Sequence, residues 1–143
     1  VKRKGIKCLV IDPYNKVRDI NAASDDVNRY TMDYLSKIEQ FCKKYDVLTF
    51  IVAHPTKMYK GQDGKMEEPN MYNIKGGGEW YDASYHGLLV HRDYEAKNTK
   101  VKVLKVKFQN LGENGSECFF TWERNSGSFI PEQEVEVEEM PWE

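Results

Sequence analysis

The order of apolar and polar positions predicts two strands in the first third of the chain. Residues 6–11 and 47–53 are short apolar runs rich in Val, Ile and Leu, and each ends two residues before a proline. Proline cannot donate a hydrogen bond to a strand ladder, so each run ends there. Runs of this length and composition are typical of strands that are buried on both faces.

Between these runs, apolar positions recur at steps of three and four, which predicts one helix. Ser24 with Asp25 and Asp26 opens the helix, and Lys43 and Lys44 occupy its last turn, where cations suit the helix dipole. Its apolar face comprises Val27, Tyr30, Tyr34, Ile38, Phe41 and Cys42. A strand, a helix and a strand with short connections predict a parallel, right-handed βαβ unit.

The second half of the chain has a different pattern of apolar and polar positions. A polar loop at 55–75 and three glycines precede a short segment, 79–85, and residues 87–90 predict a third buried strand. Residues 101–108 alternate Val or Leu with Lys, which indicates a half-exposed strand. Asn114-Gly115 is a strong hairpin signal, and residues 118–122 predict the returning strand.

Composition narrows the class of protein. The chain has 143 residues, of which 40% are hydrophobic and 31% charged. These values fit one globular domain, exclude wholesale disorder, and leave no apolar run near the roughly 20 residues of a membrane span. An odd number of cysteines, three, argues against a disulfide framework and for a reducing compartment.

Charge is unevenly distributed along the chain. The net charge is −2, but six acidic residues and no Lys or Arg follow Pro131, so the preceding part is basic. A basic body with an acidic tail is compatible with nucleic-acid binding, and equally with a solvated surface and a frayed terminus. We therefore predict a body at 1–131 and an acidic tail at 132–143 that is disordered or contacts a partner.

Polar side chains follow the predicted strands. Asp12 follows the first, His54 the second, and His91, Arg92 and Asp93 the third. Ligands gather at the carboxyl ends of parallel strands, and an Asp after a run such as CLVI is typical of a Walker B element that holds Mg²⁺ near nucleotide phosphates. An Asp in this position is as often a turn residue.

Taken together, these motifs resemble one family. Lys75-Gly76-Gly77-Gly78, the strand ending His91-Arg92-Asp93, and Leu104-Lys105-Val106-Lys107-Phe108 with Gly112 follow Asp12 and His54 in the order of the RecA-like motor of hexameric replicative helicases. This group includes phage primase-helicases, mitochondrial Twinkle and bacterial DnaB. The resemblance covers residues 5–130 and corresponds to the carboxyl-terminal half of that motor.

The resemblance implies a fold and a set of residue roles. The fold would be α/β, a fragment of a RecA-like P-loop NTPase core with a parallel βαβ unit followed by antiparallel strands. Asp12 would be the Walker B aspartate, holding Mg²⁺ through water, and His54 the sensor of the γ-phosphate. Arg92 would lie near the nucleotide base, and Lys105 and Lys107 would reach a neighbouring subunit's triphosphate.

The resemblance also implies an activity and partners. The intact enzyme would hydrolyse ATP or another nucleoside triphosphate with Mg²⁺ and pull single-stranded DNA through a homo-hexameric ring. It would be cytoplasmic, encoded by a bacterium or a phage, independent of membranes, and able to recruit replisome proteins through its acidic tail. The DNA-facing loops would be 13–24, 55–75 and 93–100, with Lys57, Lys60, Lys75, Gly76, Gly77 and Gly78 as contacts.

The chain departs from the family pattern at several positions. It contains no Gly-x-x-x-x-Gly-Lys-Ser/Thr motif, so we predict a fragment that does not hydrolyse ATP alone. Lys107 stands where the family has Arg, and a lysine cannot make the bidentate hydrogen bonds to a phosphate that an arginine makes. Trp80 and Tyr81 could stack on bases, although packing of a helix is the more common role of such residues.

Two other functions and one structural consequence follow. A RecA-type recombinase or repair ATPase, and a non-catalytic single-stranded-DNA-binding module, also fit the motifs. In the family, the P-loop strand lies between the strand ending at His54 and the strand ending at Arg92. Without it, we expect residues 47–53 and 86–91 to close on each other or to pair across a two-fold dimer.

Overall fold

The chain divides into two compact units, Val1–Ser84 and Tyr85–Glu143. The computed structural model describes residues 4–17, 27–58 and 67–132. The first unit contains a parallel sheet and helices, and the second contains an antiparallel sheet. The mixed α/β class and the order of a parallel βαβ unit followed by antiparallel strands are confirmed.

The first unit is built on a two-stranded parallel sheet. Strands β1 (Cys8–Ile11) and β2 (Leu48–Ile51) pair in register from Cys8 opposite Leu48 to Ile11 opposite Ile51. The helices are α1 (Tyr14–Val17), α2 (Val27–Tyr45) and α3 (Gly77–Ala83), with a 3₁₀ turn at Met71–Asn73. Helix α2 connects the two strands, as the apolar periodicity predicts.

Helix α2 buries the face that the sequence predicts. The apolar positions spaced at three and four are partly buried, and Thr31 and Leu35 on the same side are the most buried residues of the helix. The predicted opening residues, 24–26, lie outside the described part of the chain. Among the described residues, no helix is long and apolar enough to cross a membrane.

The prediction that β1 and β2 are buried on both faces is wrong. Burial alternates along both strands, and Val10, Leu48 and Phe50 are 59%, 59% and 49% exposed. Helix α2 packs against only one face, where Cys42 Sγ lies 3.1 Å from Thr49 Oγ1. Among the described residues, the opposite face of the two-stranded sheet carries exposed apolar side chains.

The core of the first unit is aromatic. The Tyr14 ring makes edge-to-face contacts with Tyr34 and Trp80, with centroids 5.0 and 4.8 Å apart. Tyr14 and Trp80 are 7% and 4% exposed, and the Trp80 indole N–H donates to the Lys75 carbonyl oxygen at 3.1 Å. Burial, followed by the neighbouring Tyr14 and Tyr30 hydroxyls, raises the pKa of Tyr34. These contacts join α1, α2 and α3.

The second unit is an antiparallel meander. Its strands are β3 (His86–Asp93), β4 (Asn98–Val106), β5 (Glu117–Glu123) and β6 (Ser128–Pro131), and they lie in sequence order. The predicted hairpin between β4 and β5 is confirmed: Gly115 has φ +91° and donates to Val103 O at 2.8 Å, and Val106 N donates to Asn114 Oδ1. Strand β6 was not predicted from the sequence.

Strand β3 is not the predicted buried third strand. It pairs antiparallel with β4, and its residues Leu88 and Val90 are 59% and 68% exposed. The expected closure between residues 47–53 and 86–91 is not found, since β2 and β3 belong to separate sheets. The alternative, pairing across a two-fold dimer, stays a prediction.

Candidate functional site

The parallel register brings the first two candidate residues to one edge of the sheet. Because Ile11 lies opposite Ile51, Asp12 and His54 both follow the carboxyl ends of neighbouring strands. Val52 N donates to Ile11 O and Val52 O accepts from Tyr14 N, both at 2.8 Å. These bonds fix the backbone on either side of Asp12. Both candidate side chains are exposed at this edge.

Beside this edge is a cleft of about 230 Å³. Its polar lining consists of Asn15, His54, Thr56 and Lys75, and its remaining walls are Tyr14, Val27, Ala53, Pro55 and Ile74. An imidazole, an ammonium group, a hydroxyl and an amide together suit an anion. A cleft of this volume has room for one phosphate group.

The segment leading to Lys75 is more ordered than the predicted loop. Pro55 and Ile74 form an antiparallel bridge, and Thr56 N donates to Asn73 O at 2.7 Å. The 3₁₀ turn at Met71–Asn73 and the buried Met71 side chain tie the segment to the core. The polar loop predicted at 55–75 is therefore partly ordered, with a bridge at its start and a 3₁₀ turn near its end. Residues 59–66 lie outside the described part of the chain.

The three glycines after Lys75 have different surroundings. Gly76 has φ +95°, and a Cβ atom there would lie 2.6 Å from Thr31 Oγ1. A Cβ atom at Gly77 would lie 3.1 Å from Tyr72 O, whereas one at Gly78 would meet nothing within 4 Å. Gly76 and Gly77 thus allow the start of α3 to pack closely against Thr31 and Tyr72. This packing explains glycine at both positions without a contact to DNA. Gly78 is exposed.

The structure describes some of the predicted DNA contacts of the first unit. Lys57 and Lys75 are exposed, and Lys75 also lines the cleft with His54. Lys60 and most of loop 13–24 lie outside the described residues. The DNA-binding roles of these lysines and of the three glycines stay predictions.

The remaining candidates belong to the second unit. Arg92 is exposed, with its guanidinium carbon 5.9 Å from the Tyr94 ring centroid. Lys105 is partly buried in β4 opposite Gly87. Lys107 is exposed and its Nζ lies 4.1 Å from the Tyr85 ring centroid, a cation–π contact. Their predicted roles toward a base or a neighbouring triphosphate stay predictions.

Charges on β4 are partly neutralised by the next strand. Glu117 Oε1 lies 2.7 Å from Lys102 Nζ and 3.6 Å from Lys100 Nζ. Lys100 and Lys102 therefore share one carboxylate, which reduces the net positive charge of this part of β4. Asp93, at the end of β3, accepts from Ala96 N and Glu95 N, and these bonds hold the pKa of its carboxyl below the usual range.

Trp80 and Tyr81, the aromatic pair noted in the sequence, have different surroundings. Trp80 is buried in the core, so packing accounts for it. Tyr81 instead stacks on Tyr72, with centroids 5.1 Å apart and planes inclined by 19°. Tyr72 lies nine positions away, and no sequence pattern pairs the two rings. This stack was missed by sequence reasoning.

One residue at the sheet edge, Asp12, has a side chain of the kind that binds Mg²⁺. Within the described residues, no group of three or more His, Cys, Asp or Glu side chains is gathered as for a metal ion. Magnesium at nucleotide sites is commonly held by one or two carboxylates together with phosphates and water. The single exposed carboxylate of Asp12 fits an ion that arrives with a nucleotide.

Comparison with known proteins gives one informative relative. No family model matches the chain. The chain is 28% identical over 134 residues to the Twinkle homolog protein, chloroplastic/mitochondrial, of Arabidopsis thaliana. The match covers 90% of this chain and 18% of the relative, so the chain spans about a fifth of that protein's length.

The relative carries the name of one of the helicase types that the motifs resemble. The similarity therefore supports a relationship to Twinkle-type proteins, without assigning the chain to one half of a motor. By its name the relative is an organellar protein of a plant. It gives no support for the expected bacterial or phage origin.

Proposed function

We propose that this chain is part of an ATP-dependent replicative DNA helicase of the primase-helicase type. Such an enzyme couples nucleotide hydrolysis to translocation on single-stranded DNA and to unwinding of the duplex. The observation that carries the proposal is the similarity to a Twinkle homolog across 90% of the chain. The placement of Asp12 and His54 after neighbouring parallel strands agrees with it.

The cleft suggests how a phosphate could be sensed. His54 follows β2, and Lys75 precedes α3, yet both line the same cleft. A phosphate group bound there would contact both segments and would stabilise one particular spacing between them. In the proposed enzyme, this contact links the state of the γ-phosphate to the segment that faces DNA, with His54 as the sensor.

Asp12 has a separate role in the proposal. It does not line the cleft, where its negative charge would oppose a phosphate. It would hold Mg²⁺ through water, and the ion would neutralise charge on the bound triphosphate. The phosphate cradle itself must come from residues outside this sequence, so the 143-residue chain alone is expected to be inactive.

The second unit would act at a subunit boundary of a homo-hexamer. Arg92 would lie near the nucleotide base, and Lys105 and Lys107 would approach the neighbouring triphosphate. Lys107 acts as a compact point charge and would have to leave the Tyr85 ring to do so. A cation–π contact at an exposed site is worth about 0.5–1 kcal/mol, which is small enough to exchange for a phosphate.

Hydrolysis of MgATP by the full-length product of the gene tests this proposal. We expect Asp12→Asn to abolish hydrolysis, because the amide cannot hold the ion as a carboxylate does. Asp33→Asn, at an exposed position on α2, is the matched control and should hydrolyse ATP like the unmodified protein. Undiminished hydrolysis by the Asp12 variant would refute the assignment.

The same assay separates the alternatives. Hydrolysis that depends on Asp12, without unwinding of a forked duplex, would favour a recombinase or repair ATPase. Single-stranded DNA binding without any nucleotide binding would favour a non-catalytic binding module.

A further inference from the structure

The ring of Tyr72, which is exposed, stacks nearly parallel on the ring of Tyr81, which is partly buried. Their centroids are 5.1 Å apart and their planes differ by 19°. Tyr72 is 59% exposed, whereas Trp80, next to Tyr81, is 4% exposed. An exposed ring that already stacks on a second ring offers a flat aromatic surface on which a ligand ring can stack. We propose that this tyrosine stack is a platform on which a base of a single-stranded nucleic acid stacks.

The local structure holds the platform in place before any ligand binds. Tyr72 N donates to Asn70 Oδ1 at 2.9 Å, and Asn70 N donates to Asn73 Oδ1 at 2.7 Å. This capping box fixes the 3₁₀ turn that carries Tyr72. Tyr81 lies on α3, which Trp80 anchors in the core. A base would therefore meet a ring whose conformational entropy is already restricted.

The stack leaves one flat face for a ligand. Tyr81 covers one side of the Tyr72 ring, and Tyr72 is still 59% exposed, so we expect a base to reach the other side of the ring. A base placed on that side would continue the stack. Stacking on aromatic rings is the sequence-tolerant way in which proteins bind single strands, since every base presents a π-face.

The surroundings provide a path for the phosphate backbone. Lys75 is exposed and follows Tyr72 by three residues. Gly78 lies three positions before Tyr81 on α3, hence on the same side of the helix, and has open space above it. Glu79, in the first turn of α3, and Asp82, near its end, carry negative charge. Lys75 is therefore the cation that we expect to contact a phosphate beside the rings.

This inference deepens the proposed function by naming how its DNA-facing segment holds a base. It rests on that function only for the identity of the ligand. Stacking and hydrolysis are measured separately, so one can fail without the other. A helicase could bind DNA through phosphates alone, and a stacking platform could serve a protein without ATPase activity.

Affinity for two strands of equal length tests the platform. The 143-residue chain would be titrated with a labelled thymidine oligonucleotide and with an abasic strand carrying the same phosphates. We expect about fivefold or tighter binding of the thymidine strand. Tyr72→Phe should keep this preference, and Tyr72→Leu, which keeps apolar bulk but lacks a π-face, should lose it while binding the abasic strand unchanged.

Two controls make the result specific. Phe129→Ala removes a ring of similar exposure, 51%, from the second unit and should leave the preference intact. Lys75→Ala should weaken binding to both strands and reduce the dependence of affinity on salt. Thermal unfolding of each variant confirms that it is folded.

Two results would overturn the proposal. One is equal affinity of the unmodified chain for both strands. The other is a Tyr72→Leu variant that still prefers the thymidine strand as strongly as the unmodified chain. Neither result affects the Asp12 hydrolysis test, so the helicase proposal would still be judged on its own experiment.

Discussion

Gly76 lies directly against Thr31, so close that a Cβ atom on the glycine would come within 2.6 Å of the threonine hydroxyl oxygen. Thr31 is fully buried in α2, and its hydroxyl donates to Val27 O at 2.8 Å. Gly76 is also the residue that precedes α3 and has a positive φ. Helices α2 and α3 therefore approach each other at a point where no side chain fits.

Gly76→Ala should destabilise the first unit by about 2 kcal/mol or more, because the new methyl group meets Thr31 and the backbone conformation becomes strained. Gly78→Ala is the matched control within the same motif. It has open space and a helical position, so it should be neutral or stabilise by up to about 1 kcal/mol. Urea denaturation measures both. Equal stability of the two variants would contradict the packing account.

Trp80→Ala should cost about 3–5 kcal/mol, since it empties the centre of the aromatic core and leaves the Lys75 carbonyl without its indole donor. Tyr72→Ala should cost less than about 1 kcal/mol, because the ring is largely exposed. Comparing the unfolding midpoints separates the two aromatics. If Trp80→Ala were as mild as Tyr72→Ala, Trp80 would be free for another role.

Asp93 gives the β3–β4 hairpin a defined response to pH. Its carboxyl has a lowered pKa because Ala96 N and Glu95 N donate to it. A pKa below the unfolded value of about 3.9 means that the carboxylate stabilises the fold above that value and loses the effect as pH falls through the folded pKa.

Asp93→Asn should therefore lower the thermal midpoint at about pH 7 and have a smaller effect at about pH 3, because the contribution of the carboxylate declines below the unfolded pKa. Thermal unfolding of both proteins at the two pH values measures the difference. A difference that is the same at both values would show that the charge of Asp93 contributes nothing.

The sequence is informative where structure depends on near neighbours. The three-and-four spacing of α2, the two apolar runs and Asn114-Gly115 each encode a local element, and all three appear as predicted. Burial was misjudged for Val10 and Leu88, because an apolar run does not reveal how many faces have a covering element.

The site was predictable to a similar extent. The placement of Asp12 and His54 follows from strand order and parallel pairing, which the sequence contains. The cleft shared by His54 and Lys75, and the stack of Tyr72 on Tyr81, depend on how the segment after β2 folds back on the core. That path is set by tertiary hydrogen bonds such as Thr56 N to Asn73 O, which have no local sequence signal.

His54→Ala in the full-length gene product should reduce DNA-stimulated ATP hydrolysis by about tenfold or more while nucleotide affinity changes little. A sensor reads the γ-phosphate without supplying most of the binding energy. His86→Ala, an exposed histidine on β3, is the control and should leave both quantities unchanged. Equal losses in hydrolysis and affinity would assign His54 to nucleotide binding instead.

Unwinding of a forked DNA duplex by the full-length gene product tests the central claim most directly. With MgATP, we expect strand separation by the unmodified protein and none by Asp12→Asn, while both proteins still bind the single-stranded arm. The ATP requirement and the loss in the Asp12 variant would together establish a motor that uses this chain. Strand separation that proceeds without nucleotide, or at an undiminished rate in Asp12→Asn, would contradict the account.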